Sequence, residues 1–269
     1  MQEGAILRIA LSADGLCYSA ADKRRSQPAS QSAARRFRVF KKPINLTSAA
    51  MSEGNSSFTE RNMENQCRKP SGWLGRWLLR NMNKRHSGVT DWGLSHVSIP
   101  RDKATLDVGC GGGRTISKLA AASGSGVVYG LDHSAESVRT ASATNAGLIQ
   151  AGRVAIREGS VSQLPYNSGT FDLVTAVETH FFWPNLPADV REVLRVVKPG
   201  GTFAIIAEVY KGANALTSRM VEKHAPKTGM TLLTPDEHRA LLADNGFADV
   251  QVFTNPQKGW VCATGRKPL

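Results

Sequence analysis

Apolar positions between residues 105 and 264 follow two periods in turn, short continuous runs suited to strands and one-sided stripes suited to helices. Thr105–Val108 reads as a short buried strand, and Ile116, Leu119 and Ala120 then mark one helix face. Val127–Leu131 predicts a second strand that closes at Asp132, and Ser134 is a good N-cap for a helix ending near Gly147. Val154–Arg157 and Phe171–Val177 predict the third and fourth strands. Val190, Val193, Leu194 and Val197 share one helix face, so 187–198 is an amphipathic helix stopped by Pro199-Gly200-Gly201. Phe203–Val209 predicts the fifth strand. Thr234-Pro235-Asp236-Glu237 opens the last helix with a capping box and a proline at its first position, and Gly246 ends it. Val250–Phe253 and Trp260–Thr264 make two closing strands. Such alternation implies a parallel sheet covered by helices on both faces, and no internal repeat interrupts it.

The first part of the chain has another texture. Residues 1–62 contain no Trp and no sustained period, and Lys23 to Ala50 holds no acid while carrying Lys23-Arg24-Arg25, Arg35-Arg36, Arg38 and Lys41-Lys42. Such a stretch buries too little apolar surface to offset its ordering entropy, which predicts a disordered tail. Its origin stays open between a polyanion-touching tail, an Arg- and Ser-rich transit peptide, and upstream sequence ahead of a start at Met51 or Met63. The acids Glu3, Asp14 and Asp22 argue against the transit peptide, and Arg8 interrupts the apolar Ala5–Leu11 that a secretory signal would need. From Pro70, Trp73, Leu74, Trp77, Leu78 and Met82 recur at helical spacing among basic residues. That pattern suits a helix packed on the main domain, a lid over a ligand, or a basic surface helix. The expected organisation is a basic tail at 1–62, a helical cap at 63–100 and a folded domain at 101–269.

Composition sharpens this division. The chain has 269 residues, 41% hydrophobic and 21% charged, with a net charge of +12, enough for a full core and too apolar for wholesale disorder. A +12 chain raises the question of nucleic acid. Residues 1–100 hold 16 basic and 7 acidic side chains, however, whereas 101–269 hold 18 and 15, so the excess lies outside the expected domain and argues against a nucleic-acid partner. Cys17, Cys67, Cys110 and Cys262 are scattered without metal spacing, which points to reduced cysteines in a cytoplasmic protein with no metal site. No apolar run reaches the ~18 residues that a membrane span needs.

The chemistry concentrates after the first strand. Asp107-x-Gly109-x-Gly111-x-Gly113 would let the backbone turn sharply at the carboxyl end of the sheet and expose bare main chain, with the next helix's free N–H groups facing the same space. Asp107 can anchor that loop and attract an ammonium group, while Asp132 closes the second strand where a carboxylate can accept both hydroxyls of a ribose. A dinucleotide fingerprint needs a third glycine that is missing in both registers, since Arg114 and Ile116 stand there. A nucleoside joined to an amino acid fits better.

Leu106-Asp107-Val108-Gly109-Cys110-Gly111-Gly112-Gly113 resembles the first motif of class I S-adenosylmethionine-dependent methyltransferases. The resemblance continues through Gly130-Leu131-Asp132-His133-Ser134, Gly159–Tyr166, Phe171-Asp172-Leu173-Val174 and Leu194–Gly201, and it is nearest the small-molecule, ubiquinone/menaquinone-type branch. It implies an α/β, Rossmann-like, doubly wound, mostly parallel seven-stranded sheet with helices on both faces and an N-terminal helical cap. It also implies S-adenosyl-L-methionine as cofactor. Asp107, Gly109, Cys110, Gly111 and Gly113 would line its methionine part, Asp132 its ribose, and His133, Ser160 and Val161 its adenine. Glu178 would meet the cofactor's amino acid or the substrate, and the family commonly has Asp where Ser160 stands.

The acceptor should lie along Glu178–Pro184. Asn-Pro-Pro-Tyr, the amine-holding motif of many nucleic-acid and protein N-methyltransferases, is absent. His180 is the candidate general base, against the alternative of a partly buried histidine bonded to a loop carbonyl. Phe182 and Trp183, with Phe181, could wall an acceptor site or sit in the core. Upstream, His86 and Trp92, near Thr90 and His96, fall where relatives fold over the cleft, and Trp92 could either face a sulfonium or simply pack. The expected activity is methyl transfer to a small-molecule acceptor. An RNA methyltransferase, a nicotinamide-dependent oxidoreductase and a non-catalytic cofactor-binding protein remain as alternatives.

Overall fold

In the computed structural model, strand β1 (Thr105–Val108) is fully buried and pairs in parallel with β2 (Val128–Asp132) on one side and β4 (Phe171–Val177) on the other. The structure describes residues 86–269, with Gly72 and Gly75 before them, and these belong to one compact unit, Met63–Leu269. The expected tail at 1–62, the helix predicted from Trp73 to Met82 except for Gly75, and Cys17 and Cys67 lie outside the described residues. The remaining strands are β3 (Val154–Glu158), β5 (Val197–Ala207), β6 (Ala248–Asn255) and β7 (Trp260–Arg266). They form one seven-stranded sheet in the order β3-β2-β1-β4-β5-β7-β6, parallel except for β7. The order reverses between β1 and β4, so the loops leaving those two strands open into one crevice at the carboxyl edge.

Alternate strand residues feed two separate cores, as the pleat requires. Leu106, Val108, Val174, Phe203 and Ile205 pack with helices α5 (Leu186–Val196) and α7 (Pro235–Asp244). Leu173, Ala204, Ile206 and Cys262 pack on the other face with α1 (Ser87–Leu94), α2 (Arg114–Ala122) and α3 (Ala135–Thr144). Thus α1, the described end of the expected cap, lies on the sheet; a Cβ at Gly93 would meet Ile206 Cγ2 at 2.4 Å. The expected caps are present. Ser134 Oγ accepts from Ser137 N, and Thr234 and Glu237 exchange both bonds of a capping box.

Two expectations need correction, and one helix had none. The helix expected to run from Ser134 to Gly147 is two, because Asn145 separates α3 from α4 (Ala146–Gln150). Pro199-Gly200-Gly201 does not stop the amphipathic helix. It ends at Val196, and those residues already belong to β5, beside an irregularity in its pairing with β4. The closing group is Lys267, whose Nζ donates to Leu194 O at 2.8 Å and Val197 O at 2.9 Å, a cation on the free carbonyls of a helix end. Finally, α6 (Leu216–Thr228) had no apolar stripe to announce it and carries Pro226 in its last turn.

Candidate active site

The turn after β1 is shaped by left-handed backbone. Gly109 has φ +74° and Gly113, the N-cap of α2, has φ +81°. A Cβ on Gly109 would sit 2.2 Å from Thr179 Oγ1, and one on Gly113 would sit 2.6 Å from Asn145 Nδ2. Both glycines are therefore required by conformation and by contact. Leu131 O accepts from Gly109 N at 2.7 Å and from Cys110 N at 3.0 Å, tying the loop to the end of β2. Asn145, which sequence reasoning missed, fastens its far end. Its Nδ2 donates to Gly113 O and Ala141 O, each at 2.9 Å, and its Oδ1 accepts from Ser117 Oγ at 2.7 Å.

Two buried carboxyls flank this loop. Asp132 Oδ2 accepts from Gly111 N and its Oδ1 from Ser134 N, both at 2.9 Å. A carboxylate offers about four lone-pair sites, so two remain for a ligand's hydroxyls. Asp107 accepts from Thr175 Oγ1 at 2.7 Å. Burial pushes its pKa up to about 7; the Thr175 bond opposes the shift, and the nearby Asp132 charge adds to it. Thr175 was legible only as a polar residue inside an apolar strand. Between them, burial holds the Cys110 thiol well above its ordinary pKa, so Cys110 is a packed, protonated side chain.

Beyond β4 the backbone bends at Glu178, whose φ of +58° is rare for a residue with a Cβ. Its carboxylate accepts from Glu208 N, and its own N–H donates to Ile206 O at 2.9 Å. His86 Nε2 lies 3.7 Å from a Glu208 carboxylate oxygen. One donor atom from each of His86, Glu178 and Glu208 falls within 4.8 Å of the others, a set able to hold a cation. Sequence reasoning singled out two of the three and expected no metal ligands, because the convergence exists only across the sheet edge.

His180 opens a 3₁₀ turn, His180–Phe182, and is buried. Its partner is not a loop carbonyl but His238 of α7, with the two Nε2 atoms 3.2 Å apart. Burial, then the neighbouring His238, lowers the His180 pKa well below its ordinary value, and burial lowers that of His238 as well. The other candidates scatter. His133 is half exposed, with Nδ1 3.7 Å from Asp132 Oδ1. Ser160 is exposed and its Oγ accepts from Ser162 N at 3.2 Å. The Val161 side chain is packed in the core, leaving only its backbone to meet a ligand. Trp183 does not wall an acceptor site, since it is buried parallel to Phe203 at 6.2 Å. Trp92 packs on His96 and Trp260 toward β7, which β4 and β5 separate from β1 and its loop. Phe182 stays half-buried beside Phe181.

A family model described as a methyltransferase domain matches residues 106–205, from β1 through most of β5. Residues 106–205 thus form a methyltransferase domain of the class I S-adenosylmethionine-dependent kind. An uncharacterised methyltransferase of Bacillus subtilis is 24% identical over 193 residues, covering 70% of this chain and 96% of that relative. The 27-O-demethylrifamycin SV methyltransferase of Amycolatopsis mediterranei is 28% identical over 170 residues, 60% of this chain and 61% of its own length. This methyltransferase thus spans less than two thirds of the rifamycin enzyme. In fold it is similar to a solved S-adenosylmethionine-dependent methyltransferase of Aquifex aeolicus, with a TM-score of 0.56 and 18% identity over 71% of this chain and 96% of that one. The cofactor of the methyltransferase is S-adenosylmethionine, and the residues present fit it: a bare glycine turn beside a carboxylate with open lone pairs, at the switch point of the sheet. Among the described residues, no helix is long and apolar enough to cross a membrane.

Proposed function

We propose that this methyltransferase acts on an oxygen or nitrogen of a small organic molecule, with its cofactor lying across Gly109–Gly113 and against Asp132. The observation that carries the reading is the Asp132 carboxylate, buried at the crevice, tied to the glycine loop through Gly111 N and still able to accept two hydroxyls. Bound S-adenosylmethionine supplies a methyl carbon already activated by its sulfonium. The protein's share is then alignment and exclusion of water. Asp107 and Glu178 offer carboxyls to the ammonium end. Ser160 keeps its hydroxyl proton for the adenine edge beside His133. His180, neutral through burial, is the group to take the acceptor's proton.

Three observations support a small acceptor. Residues 101–269 carry nearly balanced charge, 18 basic against 15 acidic. The amine-holding Asn-Pro-Pro-Tyr is absent. The rifamycin relative is named as the methyltransferase of 27-O-demethylrifamycin SV. The test supplies labelled methyl donor to the protein with either a metabolite extract or total RNA. Label in an extractable small molecule is expected, and Asp132→Ala should weaken cofactor binding about tenfold or more in calorimetry. Label in RNA alone would overturn the acceptor class. Unchanged binding by Asp132→Ala would overturn the cofactor's placement.

A further inference from the structure

The bonding of the two buried histidines has one consistent proton arrangement. His238 Nδ1 lies 2.8 Å from Thr234 O. A carbonyl only accepts, so Nδ1 carries the proton, and a neutral imidazole then has a bare lone pair at Nε2. His180 Nε2, 3.2 Å from that lone pair, must donate to it. The proton count of a neutral ring leaves His180 Nδ1 unprotonated, and that atom is buried without a hydrogen-bond partner. A buried acceptor left unmet costs free energy, which a donor hydrogen on a bound molecule would recover. The ring is also well placed. The preceding residue, Thr179, rests against Gly109, so His180 stands where the β1 and β4 loops meet.

We propose that His238 is a positioning residue that holds His180 as its Nε2–H tautomer, so that Nδ1 is presented as the acceptor for the O–H or N–H of the methyl acceptor. This rests on the reading of His180 as proton acceptor. During transfer the acceptor's oxygen or nitrogen bonds to the methyl carbon, the electron pair of the broken carbon–sulfur bond stays on sulfur, and the released proton goes to Nδ1. The resulting imidazolium keeps its Nε2–H on His238. Burial keeps both rings neutral beforehand, so the doubly protonated arrangement, in which His238 would donate instead, is not populated near neutrality. The charged group that reaches His238 is Glu237, whose carboxylate is held by Thr234 N at 2.7 Å and lies 3.7 Å from Lys211. Among the described residues, the titratable group that shifts His180 is His238.

Nitrogen NMR of the full chain labelled at histidine reads the tautomers directly. His238 should be protonated at Nδ1 and His180 at Nε2. His238→Phe keeps a ring of similar size but no acceptor, whereas His238→Gln returns an oxygen near the lost Nε2. The Phe variant should lower labelled methyl transfer to the metabolite extract about tenfold or more at saturating S-adenosylmethionine, with the apparent KM for cofactor unchanged. The Gln variant should recover most of that loss. The reverse tautomers, or equal losses in both variants, would overturn the proposal. If the tautomers are as stated but His180→Phe transfers methyl normally, then His180 is not the proton acceptor and only the pairing of the two rings survives.

Discussion

Asp107 bears an electrostatic cost whose sign can be worked out. Unfolded, it ionises near 3.8, whereas burial in the native site holds its proton up to about 7. Between those values the native state binds the extra proton, so this residue's contribution to stability is full below pH 3.8 and is lost as pH rises to about 7. Three units correspond to about 4 kcal/mol. His180 and His238 act oppositely, since their lowered pKa values give stability above the ordinary histidine range that is lost on acidification. The Asp107→Asn variant isolates the first effect, because Asn still accepts from Thr175. Denaturant unfolding from pH 4 to 7 should show wild type losing stability relative to this variant by up to about 4 kcal/mol. Parallel curves would show that Asp107 is ionised throughout. An ammonium beside Asp107 would favour its carboxylate, so cofactor binding near pH 6 should release a proton in wild type but not in the variant. Calorimetry in buffers of different ionisation enthalpy reads that proton.

Among the elements, the turn from β1 into α2 is held from three sides: Leu131 O behind it, Asp132 beside it and Asn145 at its far end. Asn145 is buried at the break between α3 and α4, so that break is the feature that brings a side-chain amide to Gly113. Asn145→Ala would remove the three side-chain bonds that Asn145 makes around the turn, leaving Gly113 O only its bonds from Ser117 N and Ser117 Oγ, at a cost of about 1–3 kcal/mol. The expected outcome is a lower unfolding midpoint together with roughly tenfold weaker cofactor binding. Loss of stability with unchanged affinity would mean that Leu131 and Asp132 suffice to shape the turn. The glycines and Asp132 were legible beforehand because a left-handed turn and a strand end are local features. Asn145 was not, because its side chain meets Gly113 only after α3 has packed on α2.

At the scale of the whole molecule, the basic excess and the chemistry separate. Of the +12 net charge, most lies in residues 1–100, which hold 16 basic and 7 acidic side chains. Every residue used above for cofactor or proton transfer lies between Asp107 and His238, within the unit Met63–Leu269. A chain beginning at Met63 is expected to unfold at the same denaturant midpoint as the full chain and to bind S-adenosylmethionine within about twofold. A large drop in either would show that residues 1–62 contribute to the folded domain.

Much of the architecture was determined by the sequence alone, because side-chain periods and turn residues act over a few positions. Thr105–Val108 and Phe171–Val177 are strands with the expected bounds, and Thr234 and Glu237 form the expected capping box. Tertiary structure decided what touches what. The reversal of strand order between β1 and β4 brings Thr179 onto Gly109, and α7 returns to the sheet to set His238 against His180. Lys267 closes a helix whose end the sequence assigned to Pro199-Gly200-Gly201. A pKa near 7 for Asp107 likewise exists only once the core has closed around it, since burial is a property of the packed chain and of no residue by itself.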